Sequence, residues 1–261
     1  WCAPYGYDSA AQFTETSTAY YYLSLRIMEG SARLLGKEAD TERYGSTAEK
    51  LKTVFLEKFY DAEQHCYKTQ TLTSFCAELG LYPEGQKAAM AAWCAQDIIN
   101  HGYHVTCGHI GQRYIYKLLS EFGYFEVLEK TLNSRTYPSF GAQIDRGATT
   151  LWETFELSCH DQSLNHPFKG GFALWFYEDV LGVKKASPGY RTFTVKPVAS
   201  PMVSWAKGRV ETVYGEILVD YGLGSHFIVT VPPNTEAEVF VPQKDGAFIK
   251  HSLKSGTYSL I

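Results

Sequence analysis

The sequence predicts a two-part α and β fold, in which a run of helix pairs precedes a small antiparallel β domain. Up to about residue 185 the apolar side chains recur with the period of a helix, and from about residue 187 they recur with the period of two that is typical of strands. Glycines follow most of the helical runs, where a left-handed residue commonly ends a helix. Helix pairs with short connections build a bundle, a solenoid or an α/α barrel, and the periods leave these three open.

Apolar stripes mark the helices of the first region. The stripes comprise Leu23, Ile27, Gly30 and Leu34; Tyr44, Ala48, Leu51, Phe55 and Phe59; Ile115, Leu118, Leu119 and Phe122; Phe125, Leu128 and Leu132; and Phe172, Phe176 and Val180. The glycines that predict helix ends are Gly36, Gly80, Gly102, Gly123 and Gly182. Pro83 predicts a helix start, because the first helical position tolerates the missing N–H of proline.

Short alternating segments predict the strands of the second region, with breaks rich in Pro, Gly, Asn and Ser between them. The segments are residues 191–195, 209–213, 216–220, 227–231 and 238–241. We therefore expect a helical domain over residues 1–186 and a small antiparallel sheet or sandwich over residues 187–261.

Composition excludes several classes of partner. The net charge of −4 does not favour nucleic acid or an anionic membrane, and no apolar run is long enough to span a bilayer. Aromatic residues make up 15% of the chain, which suits either a sugar-binding cleft or a helical core rich in Tyr and Phe. The six cysteines form no CxxC pair and favour a reducing, cytoplasmic compartment over a disulfide framework.

Residues 133–171 break the helical rhythm and contain the candidate site. Long connections within compact domains are usually functional or disordered, and the aromatic content of this one argues against disorder. Glu153 follows Trp152, a semi-apolar setting that suits general acid–base chemistry. The alternative is a surface or capping carboxylate near a core Trp, and Asp145 with Arg146 is equally consistent with a simple loop ion pair.

Histidines provide two further candidates. His166 lies between Asn165 and Pro167, where it is placed either to bind a sugar hydroxyl or to cap the helix that begins near Lys169. A cluster of zinc-capable residues comprises His101, His104, Cys107 and His109. Its spacing matches no standard finger, and we expect no metal and no cofactor. The sequence contains no phosphate loop, no GxSxG and no HExxH.

Several motifs in a fixed order resemble the bacterial α-L-rhamnosidases of glycoside hydrolase family 78. They are GATTLWE at 147–153, SLNHP at 163–167, GFALWFY at 171–177, YPSFG at 137–141, TAYYY at 18–22, KTQTL at 68–72 and WCAP at 1–4. The last is similar to the end of a Gly-Asp-Trp-x-Ala-Pro stretch. Because the motifs are spread over most of the helical region in one order, the resemblance is more specific than any single motif.

The resemblance implies an (α/α)6 barrel followed by a β-sandwich, and inverting hydrolysis of terminal α-L-rhamnose. Inversion needs two carboxyl groups about 6.5–9.5 Å apart, which leaves room for the attacking water. By position, Glu153 matches the general base. Residues matching or flanking the sugar pocket are His166, Trp1, Trp152, Asn165, Phe140 and Asp145. The expected partner is a rhamnose-containing glycoside or polysaccharide.

The sequence departs from the family pattern in two respects. The family's general acid comes from an earlier motif rich in Asp, Arg and Glu, which this sequence lacks. We therefore expect a fragment with an incomplete toroid, exposed apolar helix faces, little activity alone, and the missing N-terminal part of the same enzyme as a partner. Cys107 and His109 stand where the family more often has Thr and an aromatic residue, which puts the lining of the sugar site in question.

Two other functions fit some of these observations. Another α/α-barrel carbohydrate enzyme, either a different exo-glycosidase or a polysaccharide lyase, would use the same kind of cleft. A lyase needs Tyr, His and a cation to hold a uronate carboxylate, and the sequence has no clear Arg/Lys cluster. A non-catalytic sugar-binding or structural module is the third hypothesis.

Overall fold

A computed structural model of the chain describes residues 3–4, 13–156, 162–198, 200 and 202–261. It divides into two compact units, Trp1–Gly171 and Phe172–Ile261. The first unit is helical, and the second contains all the named strands. Over the described residues, we find no helix with the length and apolar character needed to cross a membrane.

Seven α-helices span the described part of the first unit. They are α1 (Phe13–Leu34), α2 (Glu38–Phe59), α3 (Gln70–Leu79), α4 (Lys87–Asn100), α5 (His109–Glu121), α6 (Phe125–Asn133) and α7 (Phe140–Asp145). A 3-10 helix, Pro167–Phe172, follows the loop after α7. The prediction that Pro83 opens a helix is wrong. Its carbonyl instead accepts from the backbone N–H of Gln86 in the turn before α4.

The helices form an arc of hairpins in two layers. Successive helices pack as the pairs α1–α2, α3–α4 and α5–α6, while α3 contacts both α1 and α5, and α4 contacts α6. The helices α3 and α5 are buried along most of their length, so they belong to the inner layer. Alternate helices sharing a layer define part of an α/α toroid, which confirms the predicted incomplete toroid.

The predicted apolar stripes are correct for α2, α5 and α6 but wrong for α1. The buried side chains of α1 are Ala19, Tyr22, Leu25 and Ala32. By contrast, Ile27 and Leu34 are exposed, Leu34 by 90%. The helix carries apolar residues on more than one face, and the neighbouring helices decide which face is covered. Exposed apolar side chains on this helix agree with the expectation for an open toroid.

Local sequence explains how the inner helices are placed. Thr69 caps α3 by accepting from the backbone N–H of Leu72 at 3.2 Å, and Gly80 ends the helix in the left-handed conformation, with φ of 71°. Gly111 lies where α5 approaches α3. A Cβ atom at this position would be 2.8 Å from the Cα of Thr71, so only glycine fits this approach without movement.

The second unit is a sandwich of two four-stranded sheets. Its strands are β1 (Val183–Lys185), β2 (Thr192–Val195), β3 (Trp205–Thr212), β4 (Gly215–Gly222), β5 (His226–Val231), β6 (Glu236–Pro242), β7 (Phe248–Leu253) and β8 (Gly256–Ser259). One sheet has the order β1-β2-β6-β7 and the other has the order β3-β4-β5-β8. The five predicted strands correspond to β2–β6, and β1, β7 and β8 were not predicted.

The sandwich core combines the inner faces of both sheets. Phe193 and Val239 come from the first sheet, and Val219 and Val229 from the second, all 1% exposed or less. Pairing is antiparallel except between β2 and β6, which run parallel. The chain passes through three strands of the other sheet between them, so β6 returns in the direction of β2. The predicted sandwich is therefore confirmed, with one parallel pair.

The cysteines that the structure describes are free thiols. Cys66, Cys76, Cys94 and Cys107 are all buried. Burial raises the pKa of Cys107 to about 12, so this thiol is protonated at neutral pH. They behave as small apolar side chains of the helical core. Cys2 and Cys159 lie outside the described residues.

Candidate functional site

Two short segments of the loop after α7 run side by side and bring Glu153 and His166 together. The backbone N–H of Glu153 donates to the Ser163 carbonyl at 2.8 Å, and that of His166 donates to the Leu151 carbonyl at 2.7 Å. As a result, Nδ1 of His166 lies 3.8 Å from Oε2 of Glu153. Two residues that the sequence singled out separately therefore share one site.

The Glu153 carboxylate is held in place but remains open to solvent. Its Oε2 atom accepts from the backbone N–H of Ser163 at 3.1 Å. Its side chain is 21% exposed, and that of His166 is 22% exposed. A carboxylate that is anchored and still reaches solvent can accept a proton from a neighbouring group or from water.

His109, the first residue of α5, contacts both Glu153 and His166. Its Nε2 atom is 2.6 Å from the carbonyl oxygen of Glu153. Its ring packs against the His166 ring, with centroids 4.9 Å apart, and forms a T-shaped pair with the Phe168 ring, with centroids 5.5 Å apart. Burial lowers the pKa of His109, and the charges of His166 and Lys169 lower it further, whereas the bond to the Glu153 carbonyl acts in the opposite direction.

A buried lysine lies beneath the loop among aromatic rings. Lys169 is 1% exposed, and its Nζ atom lies 3.4 Å from the Phe155 ring centroid and 5.7 Å from that of Phe140. The two phenylalanine rings meet edge to face at 5.3 Å. This is a cation–π arrangement, which is stronger in a desolvated setting. Phe140, predicted to line the sugar site, thus contributes to the surroundings of Lys169.

A second carboxylate in the same loop is buried. Glu156 is 9% exposed, and its Oε1 atom accepts from the Tyr137 hydroxyl at 2.6 Å. The segment between the two glutamates is anchored from α7, because the amide of Gln143 donates to the Thr154 carbonyl. Glu156 therefore belongs to the interior, whereas Glu153 is the carboxylate that reaches solvent.

The remaining predicted site residues differ in their surroundings. Trp152 is half-buried, and Asn165 is exposed, its backbone N–H donating to the Ser163 hydroxyl at 3.2 Å. Asp145 ends α7 and forms an ion pair with Arg135, so the suggested pairing with Arg146 is wrong. Arg135 is ten residues from Asp145 in the sequence, so their pairing could not be predicted from neighbouring residues. Trp1 lies outside the described residues.

The zinc-capable residues each have a separate environment. His104 Nε2 lies 2.9 Å from the Thr136 hydroxyl, and His101 Nδ1 donates to the Asp97 carbonyl at 2.7 Å. Cys107 is buried, and His109 is bonded to the Glu153 carbonyl as described above. Among the described residues we find no group of three or more His, Cys, Asp or Glu side chains arranged to hold a metal ion.

The sequence did not predict the roles of His109 and Lys169 in this site. His109 is 44 residues from Glu153 along the chain, so only the toroid brings them together. For Lys169 the local signal is weak, because a lysine between Phe168 and Gly170 is normally expected at the surface. The one sequence signal for a role of His109 was that the family more often has an aromatic residue at this position.

The arc of helical hairpins and the β-sandwich that follows it in the chain define a fold of the hairpin-toroid class, with a loop carboxylate beside two histidines. Accordingly, residues 1–180 match the family described as the bacterial alpha-L-rhamnosidase 6 hairpin glycosidase domain. Residues 182–256 match the bacterial alpha-L-rhamnosidase C-terminal domain. The chain belongs to the bacterial α-L-rhamnosidase family.

Relatives and solved structures are similar over nearly the whole chain. An alpha-L-rhamnosidase of Alteromonas sp. (strain LOR) is 30% identical over 88% of this chain and 26% of the relative. One of Streptomyces avermitilis is 27% identical over 90% of this chain and 24% of the relative. The chain thus spans about a quarter of the length of these curated relatives.

The solved structures agree in fold. The alpha-L-rhamnosidase from Dictyoglumus thermophilum superposes with a TM-score of 0.90 and 32% identity, over 99% of this chain and 33% of that one. The Streptomyces avermitilis alpha-L-rhamnosidase complexed with L-rhamnose superposes with a TM-score of 0.87 and 24% identity, over 100% of this chain and 28% of that one. At that lower identity, the second likeness shows the fold alone.

Proposed function

We propose that the complete gene product hydrolyses terminal α-L-rhamnosides with inversion, and that Glu153 is its general base. The observation that carries the proposal is the pairing of a solvent-reaching carboxylate with a histidine, Glu153 Oε2 and His166 Nδ1 lying 3.8 Å apart. Relatives from Alteromonas and Streptomyces carry the name alpha-L-rhamnosidase, which supports this choice of sugar.

In this mechanism Glu153 removes a proton from a water molecule that attacks the anomeric carbon. The attack comes from the face opposite the leaving oxygen, so the configuration inverts. The backbone N–H of Ser163 holds the carboxylate while it does so. His166 is positioned to hydrogen-bond a sugar hydroxyl beside it. The wider proposed sugar contacts are Trp1, Trp152, Asn165, Phe140 and Asp145.

The general acid is proposed to come from outside this sequence. An inverting enzyme needs a second carboxyl about 6.5–9.5 Å from the base, and the nearby Glu156 is buried, with its carboxylate bonded to the Tyr137 hydroxyl. The family's acidic motif is absent from the 261 residues. We therefore propose that another part of the same enzyme completes the site, and that this chain alone turns over little substrate.

The test is the Glu153→Gln variant of the complete gene product with an aryl α-L-rhamnoside. Glutamine keeps the size of the side chain and removes the base, so kcat should fall by about 10²–10⁴-fold while sugar binding persists. Nuclear magnetic resonance of the first product should show the β-anomer of rhamnose. Glu57→Gln, on an exposed position of α2, serves as the matched control and should leave kcat unchanged.

Three outcomes separate this proposal from its alternatives. Undiminished turnover in the Glu153→Gln variant, or retention of configuration, would refute the role of Glu153. Cleavage of a uronate polymer to an unsaturated product would identify a lyase instead. Rhamnose binding without turnover by the unmodified complete protein would identify a sugar-binding module.

A further inference from the structure

We infer that His109 is a positioning residue that fixes Glu153 and His166 relative to one another. This inference rests on the proposed function, because it concerns the carboxylate assigned there as the base. His109 contacts both residues, donating to the backbone carbonyl of one and packing against the ring of the other. It is 1% exposed, so a substrate cannot reach it without displacement of its neighbours.

The hydrogen bond fixes the direction of the Glu153 side chain. The N–H of Glu153 is already committed to the Ser163 carbonyl, and its own carbonyl accepts from His109. With both flanking peptide groups held, the backbone dihedrals of Glu153 have little freedom, and the Cα–Cβ bond points in one direction. Catalytic groups need such support, because small displacements are costly in rate.

The ring contact acts on the second residue. The His109 and His166 rings are tilted by 43° with centroids 4.9 Å apart, so the His109 ring limits the movement of His166 on that side. The Phe168 ring also packs against the His109 ring, nearly perpendicular to it, with centroids 5.5 Å apart. A single imidazole therefore couples the two segments of the loop at the point where Glu153 and His166 face each other.

The support originates in the inner helical layer. His109 is the first residue of α5, and Gly111 brings the same end of α5 against Thr71 of α3. The position of His109 is thereby set by helix packing rather than by the loop. A hydrogen bond from a packed helix to a loop carbonyl transfers that rigidity to the site.

The imidazole must be neutral and protonated at Nε2 to play this part. A carbonyl oxygen only accepts, so Nε2 is the donor. Nδ1 is buried and makes no hydrogen bond within the described residues, so a second proton there would lack an acceptor. The nearby charges of His166 and Lys169 also oppose a positive His109.

Two substitutions in the complete gene product separate the two contacts. His109→Phe keeps an aromatic ring and removes the donor, so we expect kcat to fall about 2- to 10-fold with little change in KM, the range that one neutral hydrogen bond supports. His109→Gln keeps an N–H near the Nε2 position and removes the ring. We expect its kcat to stay closer to the unmodified value while KM rises.

The control and the decisive outcomes follow from the same assay. His251→Phe, on β7, replaces a histidine outside the site and should change neither constant. Unchanged kcat and KM in both His109 variants, with only a lower Tm, would show a core residue and overturn the inference. Nitrogen-15 resonance of labelled histidine showing a proton on Nδ1 and none on Nε2 of His109 would do the same.

Failure of the proposed function is recognisable separately. If the unmodified protein does not hydrolyse the rhamnoside, or Glu153→Gln does so at full rate, the base assignment fails and this inference fails with it. If Glu153→Gln is inactive while both His109 variants match the unmodified protein, only the inference about His109 fails.

Discussion

Replacement of Gly111 by alanine tests whether α3 and α5 approach as closely as the site requires. The added Cβ atom would lie 2.5 Å from the Cβ of Cys107, 2.8 Å from the Cα of Thr71 and 3.0 Å from the Thr71 hydroxyl oxygen. Real Cβ atoms essentially never come within 3.0 Å of other heavy atoms, as the first two of these contacts would require. The Thr71 Cα belongs to the main chain of α3, so a side-chain rotation cannot relieve that contact.

Two opposing terms set the expected magnitude. Alanine in a helix interior is favoured over glycine by about 1 kcal/mol. Overpacking a filled interior costs about 1–3 kcal/mol, and the upper part of that range applies where a main-chain atom must move. The Gly111→Ala variant should therefore lose about 2 kcal/mol of unfolding free energy.

The matched control is Gly30→Ala in α1. No heavy atom lies within 4 Å of the Cβ that this change adds, so only the helix propensity acts. The control should gain about 0.5–1 kcal/mol. The two variants make the same chemical change and differ only in whether the neighbouring helix leaves room, so their shifts should have opposite signs.

Urea denaturation followed by far-ultraviolet circular dichroism measures both shifts, with the midpoint and slope taken from the helical transition. If Gly111→Ala is as stable as the unmodified chain while Gly30→Ala is stabilised, the close approach of α3 and α5 described above is incorrect. Because His109 lies in the same turn of α5 as Gly111, that result would also weaken the account of how His109 is held.

Two further predictions concern pH and the sandwich. Burial lowers the folded-state pKa of His109 below its ordinary value of 6.5, so the unfolded chain binds the proton more readily, and this residue should reduce unfolding free energy as the pH falls below about 6.5. Denaturation of His109→Phe at several pH values should show a smaller decline, and an equal decline would contradict this. Phe193→Ala should lower the free energy of unfolding by about 3–5 kcal/mol, because Phe193 is 1% exposed in the core of the sandwich. The control, Val213→Ala, should change it by no more than about 0.5 kcal/mol, because Val213 is 85% exposed. Similar losses in both variants would contradict the assigned core.

The fold was predictable wherever one face of an element is clearly apolar. The α2 stripe through Ala48 and Phe55 is buried as expected, because little on the other faces competes with it. In α1, Leu25 is buried while Ile27 is exposed, although both are apolar. Which of the two is buried depends on how α2 and α3 pack against α1, and the helical period of the sequence does not predict this packing.

The unpredicted strands lack the signal on which strand prediction depends. β7 contains Lys250, His251 and Ser252, and β8 is the short segment Gly256–Ser259. Both strands are largely exposed, so neither face needs a regular alternation of apolar residues. They are ordered by pairing instead, β7 with β6 and β8 with β5. Such pairing is a property of the assembled sheet and leaves little trace in the local sequence.

Some residues of the site could likewise be predicted from local sequence motifs, and others only from the folded structure. Glu153 and His166 are close enough in sequence for their motifs to identify them, and one loop joins them. His109 and Glu153 are 44 residues apart, and no spacing rule connects them. A contact from a residue on a different helix, such as His109, can be identified only from the folded structure.

The departures at Cys107 and His109 consequently have a different meaning from the one that the sequence indicated. There they put the lining of the sugar pocket in question, whereas in the folded chain both residues are buried, each 1% exposed. Cys107 is buried, which keeps its thiol protonated, so it packs as a small apolar side chain. If the inference about His109 is correct, a change there acts through the Glu153 carbonyl and the His166 ring, the two residues proposed to meet the substrate. For that reason the loss of its donor should appear in kcat, and the loss of its ring in KM.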